Sequence, residues 1–170
     1  MLVSYKIANE KIDIEVLKQQ LEGSDYVAMA FSEDRNMGDD LAFVCSPSWN
    51  SASGVKVFWN QRSHNSKFLE DNGNIAQNPS INHTNGLITC AFSLGKLITI
   101  QMPSESREFD LEREHYLLLA TGAVEGTGIT HHNARIASKD KFGKLSGKKT
   151  ILELSLSEMI KHNVYYRPIF

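Results

Sequence analysis

The sequence predicts an all-β sandwich, and three features of the 170-residue chain carry that expectation. Apolar residues recur with period two in short runs, as in Tyr26 to Phe31 and Leu41 to Cys45. Clusters of Gly, Asn, Ser and Asp, which favour turns, separate those runs. Few stretches show a helical period, so the elements should be roughly eight or nine short strands in stacked sheets.

Composition sets the limits. An apolar fraction of 41% and a formal net charge of −2 describe an ordinary soluble globular chain, long enough to bury a substantial core as one domain. That domain is expected over 1–170, with its core at about 2–156 and a short C-terminal extension at 157–170. A pI near 6.3 argues against a nucleic-acid binder acting through general electrostatics. No apolar run approaches the ~20 residues that cross a bilayer. The opening MLVSYKIANEK lacks the apolar core and cleavage site of a signal peptide, so a targeting segment, if the protein is exported, is expected outside this chain.

Taken in order, Ile12, Ile14 and Val16 alternate with Asp13 and Glu15 as a half-exposed strand, and LKQQLEGSD turns the chain. Tyr26 to Cys45, YVAMAFSEDRNMGDDLAFVC, reads as a hairpin whose acidic loop places Met37 at one rim of a sheet. Ser46 to Gly54 is a small-residue loop, and Val55 to Trp59 is a strand. Asn60 to Gly86 is read as a long polar excursion with one short strand. Leu87 to Phe92 and Lys96 to Met102 form two β-prone runs joined as a hairpin through Ser93-Leu94-Gly95. The charged PSESREFDLERE is assigned a helical turn. Tyr116 to Ala120 is apolar throughout, as a strand buried on both faces requires. A glycine-rich TGAVEGTGI and the pair His131-His132 follow, then a basic loop from Arg135 to Lys149, a last strand at Leu152, Leu154 and Leu156, and a short helix in SEMIKHN.

Cys45 and Cys90 each end a strand-like run and show neither a zinc-knuckle nor a CxxC spacing. Two buried free thiols are one reading. Paired, their separation of 45 residues would constrain the unfolded chain by about 4 kcal/mol. Asn82-His83-Thr84 is a glycosylation sequon in a turn-rich segment and, with the cysteines, tilts the compartment toward extracellular.

The soft and nitrogenous ligand candidates lie in two strand-end loops: Met37 in one, His131 and His132 in the other. A sandwich gathers its loops at its ends, so these can meet. A thioether with an imidazole gives six-coordinate haem ligation suited to electron transfer. Spacing alone favours the plainer reading, a methionine plugging the core edge and an exposed histidine pair. The absence of CxxCH excludes covalent attachment, so any haem is b-type. Glu33, Asp34, Asn36, Asp39 and Asp40 lack the pattern of an EF-hand and read as a solvated turn. The basic Arg135 to Lys149 stretch suits anionic chelates, haem propionates or lipid head groups, against the plainer reading of a solvated loop. No Ser-His-Asp arrangement, nucleophilic cysteine or phosphate-binding glycine motif is present.

YVAMAFSEDRNMGDDLAFVC, VKVFWN, NGLITCAFS and YLLLATGAVEGTGITHHNARIAS, in that order, resemble the DOMON domain, most closely its ferric-chelate reductase and stromal cell-derived receptor branch. The resemblance spans about Leu2 to Ser138. It implies an immunoglobulin-like sandwich and haem b held by Met37 and by His132 or His131, with His132 preferred. It also implies a Cys45–Cys90 disulfide and a transmembrane b-type cytochrome module as redox partner. The copper domains of the hydroxylase branch are absent, so no hydroxylase is expected. Some DOMON domains carry no haem and are similar to carbohydrate-binding modules, for which Trp49, Trp59 and Tyr26 would be the stacking candidates.

Overall fold

The computed structural model describes residues 1–8, 10–19, 25–49, 54–61, 66–69, 74–101, 106–126, 128–141 and 150–153. Every regular element among them is a strand. One antiparallel sheet has the order β15-β1-β2-β8-β7, built from Thr150–Glu153, Leu2–Ala8, Lys11–Gln19, Leu87–Gly95 and Gln77–Thr84. The second has the order β14-β11-β3-β4-β5-β6, built from Ala134–Ala137, Tyr116–Gly122, Tyr26–Ser32, Asp40–Cys45, Val55–Asn60 and Ser66–Leu69. Two ribbons complete the set, β9 (Leu97–Gln101) with β10 (Ser106–Asp110), and β12 (Val124–Glu125) with β13 (Gly128–Ile129).

Period-two alternation makes the sandwich. From the five-stranded sheet, Ile12, Ile14 and Val16 of β2 and Ile88, Cys90, Phe92 and Leu94 of β8 point inward. From the six-stranded sheet they meet Val27, Met29 and Phe31 of β3, Leu41, Phe43 and Cys45 of β4, and Leu117 and Leu119 of β11. Phe43 and Phe92 stack across the two sheets with centroids 4.9 Å apart. Cys45 and Cys90, facing each other from opposite sheets, form the disulfide that the family resemblance implied, in place of two free thiols.

Lys18 is buried between the sheets, where its Nζ donates to the Tyr26 carbonyl at 3.4 Å and to Thr121 Oγ1. Burial holds its pKa down to about 8 despite the opposing charge of Asp25. The lysine thereby ties β2 to the adjacent ends of β3 and β11.

Three expectations are corrected. Leu87–Phe92 and Lys96–Met102 are not a hairpin: β8 runs on to Gly95 because Leu94 continues the inward series and is fully buried, and β9 pairs with β10. The expected helical turn in PSESREFDLERE is instead strand β10 at Ser106–Asp110, where Phe109, opposite Ile98, is buried while Ser106 and Glu108 face out. Within the polar excursion, Gln77–Thr84 is a full eight-residue strand, polar because it is an edge with one neighbour only. The basic stretch opens with strand β14, paired to β11. SEMIKHN and residues 142–149 lie outside the described residues.

Candidate functional site

The six-stranded sheet is apolar on its outer face as well. Register aligns Ala137, Leu118, Ala30, Ala42 and Phe58 in one cross-strand row, and Arg135, Ala120, Ala28 and Val44 in the next. An outward face of an antiparallel sheet is ordinarily polar. Here four alanines lie between larger side chains and make a shallow floor, over which a cavity of about 870 Å³ opens.

Two loops wall this cavity. Residues 33–39 link β3 to β4 and bring Arg35, Asn36 and Met37 to it, with Met37 half-buried. The loop is braced locally: the Asn36 amide donates to Asp34 Oδ1 at 2.6 Å, the Gly38 amide donates to Asp40 Oδ2 at 2.7 Å, and Arg107 meets Asp39 at 3.3 Å. Of the acidic side chains expected in a solvated turn, Glu33 and Asp34 are exposed, while Asp34 and Asp40 also accept from the loop's own backbone and Asp39 meets Arg107.

The second wall is the return from β11 to β14, which presents Thr130, His131 and His132. Ala123 accepts hydrogen bonds from the Thr130 amide and from Thr130 Oγ1, each at 3.0 Å, and the Asn133 amide donates to the Thr121 carbonyl at 2.9 Å. Tyr26 Oη donates to the Thr130 carbonyl at 3.4 Å. Gly122 permits this approach: a Cβ there would lie 2.9 Å from the Tyr26 ring and 3.1 Å from the His131 carbonyl oxygen.

The structure therefore brings Met37, His131 and His132 to a single cavity from loops about 95 residues apart in sequence. It also separates the roles of the histidines. His131 is exposed, and its Nδ1–H donates to the His132 carbonyl at 3.0 Å. His132 is half-buried, and its pKa is pushed down to about 4 by burial first and by the charges of His131 and Arg135 second. Its imidazole is neutral at physiological pH, the protonation state in which a ring nitrogen binds metal.

Asn82 is exposed on the edge strand β7, and its Oδ1 accepts from Thr84 Oγ1 at 3.0 Å. Tyr26, Trp49 and Trp59, the candidate sugar-stacking aromatics, are all buried and offer no exposed platform. Among the described residues, no helix is long and apolar enough to cross a membrane. The alanine floor and Arg35 were not singled out from the sequence. The signal was present in small residues at Ala28, Ala30, Ala42 and Ala120, on strands whose outward positions would otherwise be polar.

The family profile described as "DOMON domain" matches residues 1–122, well over half of the chain. The chain belongs to the DOMON domain family. This DOMON domain is 28% identical over 121 residues to a putative ferric-chelate reductase 1 of Xenopus laevis, covering 71% of the chain and 19% of that protein. It is also 28% identical over 127 residues to ferric-chelate reductase 1 of Bos taurus, covering 74% and 20% respectively. The chain thus spans about a fifth of the length of these curated relatives. No solved structure matches it significantly. The matched range of the DOMON domain contains Met37, Cys45 and Cys90 and ends before His131 and His132, and the structure places that pair at the same cavity as Met37.

Proposed function

We propose that this DOMON domain binds haem b in the cavity on the outer face of its six-stranded sheet, with Met37 and His132 as axial ligands. The observation that carries the reading is the convergence of a half-buried thioether and a half-buried imidazole on one largely apolar cavity. Its volume lies within the roughly 300–1,000 Å³ of cofactor sites, and the alanine floor suits a flat macrocycle. Arg35 and Arg135, on the cavity lining, supply cations for its carboxylates. Haem held by Met and His exchanges single electrons at a raised potential and leaves no open position for substrate.

The work of the domain on this reading is electron relay. It exchanges electrons with a transmembrane b-type cytochrome module outside this chain, in a ferric reductase system of the kind its relatives' names describe. The Cys45–Cys90 disulfide supports an extracellular or lumenal setting, where Asn82 is open to glycosylation. The burial of Tyr26, Trp49 and Trp59 weighs against a sugar-binding alternative.

Absorption spectroscopy tests the proposal. Titrating haemin into the purified domain should give a stoichiometric Soret band, with sharp α and β bands after dithionite reduction. A spectrum matching free haemin at all ratios would remove the reading.

A further inference from the structure

Asp40 is a carboxylate that packing alone does not require. It opens β4 opposite Asn60, is 1% exposed, and stands at the base of the loop that carries Met37. Burying a carboxylate is costly unless it has hydrogen-bond partners, and the cost is visible in a pKa raised to about 6, chiefly by desolvation. Those partners are specific. Asp40 Oδ2 accepts the Gly38 amide at 2.7 Å, and Ser32, the last residue of β3, lies close enough to the same carboxylate to offset part of the desolvation.

The bonded amide belongs to the peptide that joins Met37 to Gly38. On the other side of Met37, the Asn36 amide is held by Asp34 Oδ1 at 2.6 Å, and Ser32 Oγ accepts from the Asp34 amide at 3.3 Å. Thus the amide of the residue before Met37 and that of the residue after it are both fixed by side-chain carboxylates. Only the second carboxylate is rooted in the sheet and buried; Asp34 is exposed. Gly38 has φ 153° and Asp39 φ 58°, so the chain turns sharply immediately after Met37, and the Asp40 contact holds the peptide at the start of that turn.

We infer that Asp40 is the positioning residue for Met37: by accepting the Gly38 amide from a fixed point in the sheet, it holds the thioether at the cavity. Its functional meaning rests on the haem-ligation reading above, but its structural content does not need haem. Loss of the acceptor frees the 37–38 peptide to rotate, and the Met37 side chain moves with it.

The first test uses the haem-free domain with ¹³C-methyl-labelled methionine. Wild type and Asp40→Asn, whose amide oxygen takes the Oδ2 position when the side-chain amide turns over about χ2, should each give one sharp Met37 methyl resonance and a Gly38 amide protected from exchange. Asp40→Ala should broaden or split the resonance and lose at least tenfold in Gly38 protection. An unchanged Met37 methyl in a folded Asp40→Ala protein overturns the inference, and so does Asp40→Asn behaving like Asp40→Ala. If Asp40→Ala does not fold, Asp40→Ser, whose shorter hydroxyl cannot span to Gly38, takes its place with the same two outcomes.

The second test adds haemin. Asp40→Ala should bind it with a mixed high-spin and low-spin ferric spectrum, whereas Asp40→Asn stays low-spin. Met37→Ala separates the two claims. If Met37→Ala leaves the spectrum unchanged, methionine ligation fails while the methyl resonance still judges Asp40. If Met37→Ala loses the low-spin form and folded Asp40→Ala keeps it in full, the positioning role alone is overturned.

Discussion

The imidazole of His131 lies over that of His132, with ring centroids 4.2 Å apart and planes inclined by 27°. The outer ring is exposed and the inner one half-buried at the cavity, so His131 covers His132 on its solvent side. The stack predicts an asymmetric mutational pattern. His132→Ala should abolish the low-spin haem spectrum, while His131→Ala should retain it and bind haem more weakly. Parallel haemin titrations of the two variants check this; equal loss in both would place the ligand role on the pair rather than on His132.

Gly122 sets the distance between that pair and the sheet. A methyl group there would stand 2.9 Å from the Tyr26 ring and 3.1 Å from the His131 carbonyl oxygen, closer than ordinary contact. Overpacking of this kind costs about 1–3 kcal/mol. Gly122→Ala should therefore lower the denaturation midpoint and weaken haem binding, whereas Gly126→Ala, with nothing within 4 Å but a positive φ of 60°, should cost stability without touching the site. Urea unfolding and haemin titration of both variants separate the two effects.

Asp40 and His132 pull the pH dependence of stability in opposite directions. Asp40 has a folded pKa of about 6, above its ordinary value of 3.8, so the folded state binds the extra proton between those values and this group's contribution is lost as pH rises through about 6. His132 has a folded pKa of about 4, below 6.5, so its contribution is present above 6.5 and lost as pH falls toward 4. Their slopes oppose one another across the same window. Asp40→Asn should make stability fall more steeply on acidification from pH 6.5 to 4 than in wild type, and His132→Asn should make it fall less. Denaturant titrations at half-unit pH steps measure both slopes.

The Cys45–Cys90 bond closes a 45-residue separation and joins the two sheets at their inner faces. Replacing both cysteines by Ala should cost about 2–5 kcal/mol. Chemical denaturation of the double variant should show a lowered midpoint, and dithiothreitol should lower the midpoint of the wild type alone.

Sequence periodicity went far with this chain where a strand has one wet face. Ile12, Ile14 and Val16 alternate with charges, and β2 is where that alternation lies. Tyr26 to Phe31 and Leu41 to Cys45 are likewise the hairpin they were read to be. Periodicity failed where tertiary context replaced it. Gln77–Thr84 carries no apolar stripe because an edge strand needs little burial on either face, and Ser106–Asp110 passed for a helical turn because only Phe109 is buried there. β1, at Leu2–Ala8, is not legible in the same way: LVSYKIA shows only a weak alternation, and pairing with β2 and β15 is what makes it a strand of the sheet.

By itself the sequence determined the all-β class, the hairpin that carries Met37, and the ordered blocks that mark a DOMON domain. Those properties are local: they depend on side chains two residues apart and on turn chemistry within a few residues. Tertiary structure decided that the outward alanines of three strands form one floor, that His132 is shielded while its neighbour is exposed, and that Met37 faces the same cavity. These depend on register between strands distant in the chain. Because a shift by one residue would turn every alanine to the opposite face, only the assembled sheet determines which side chains share the cavity.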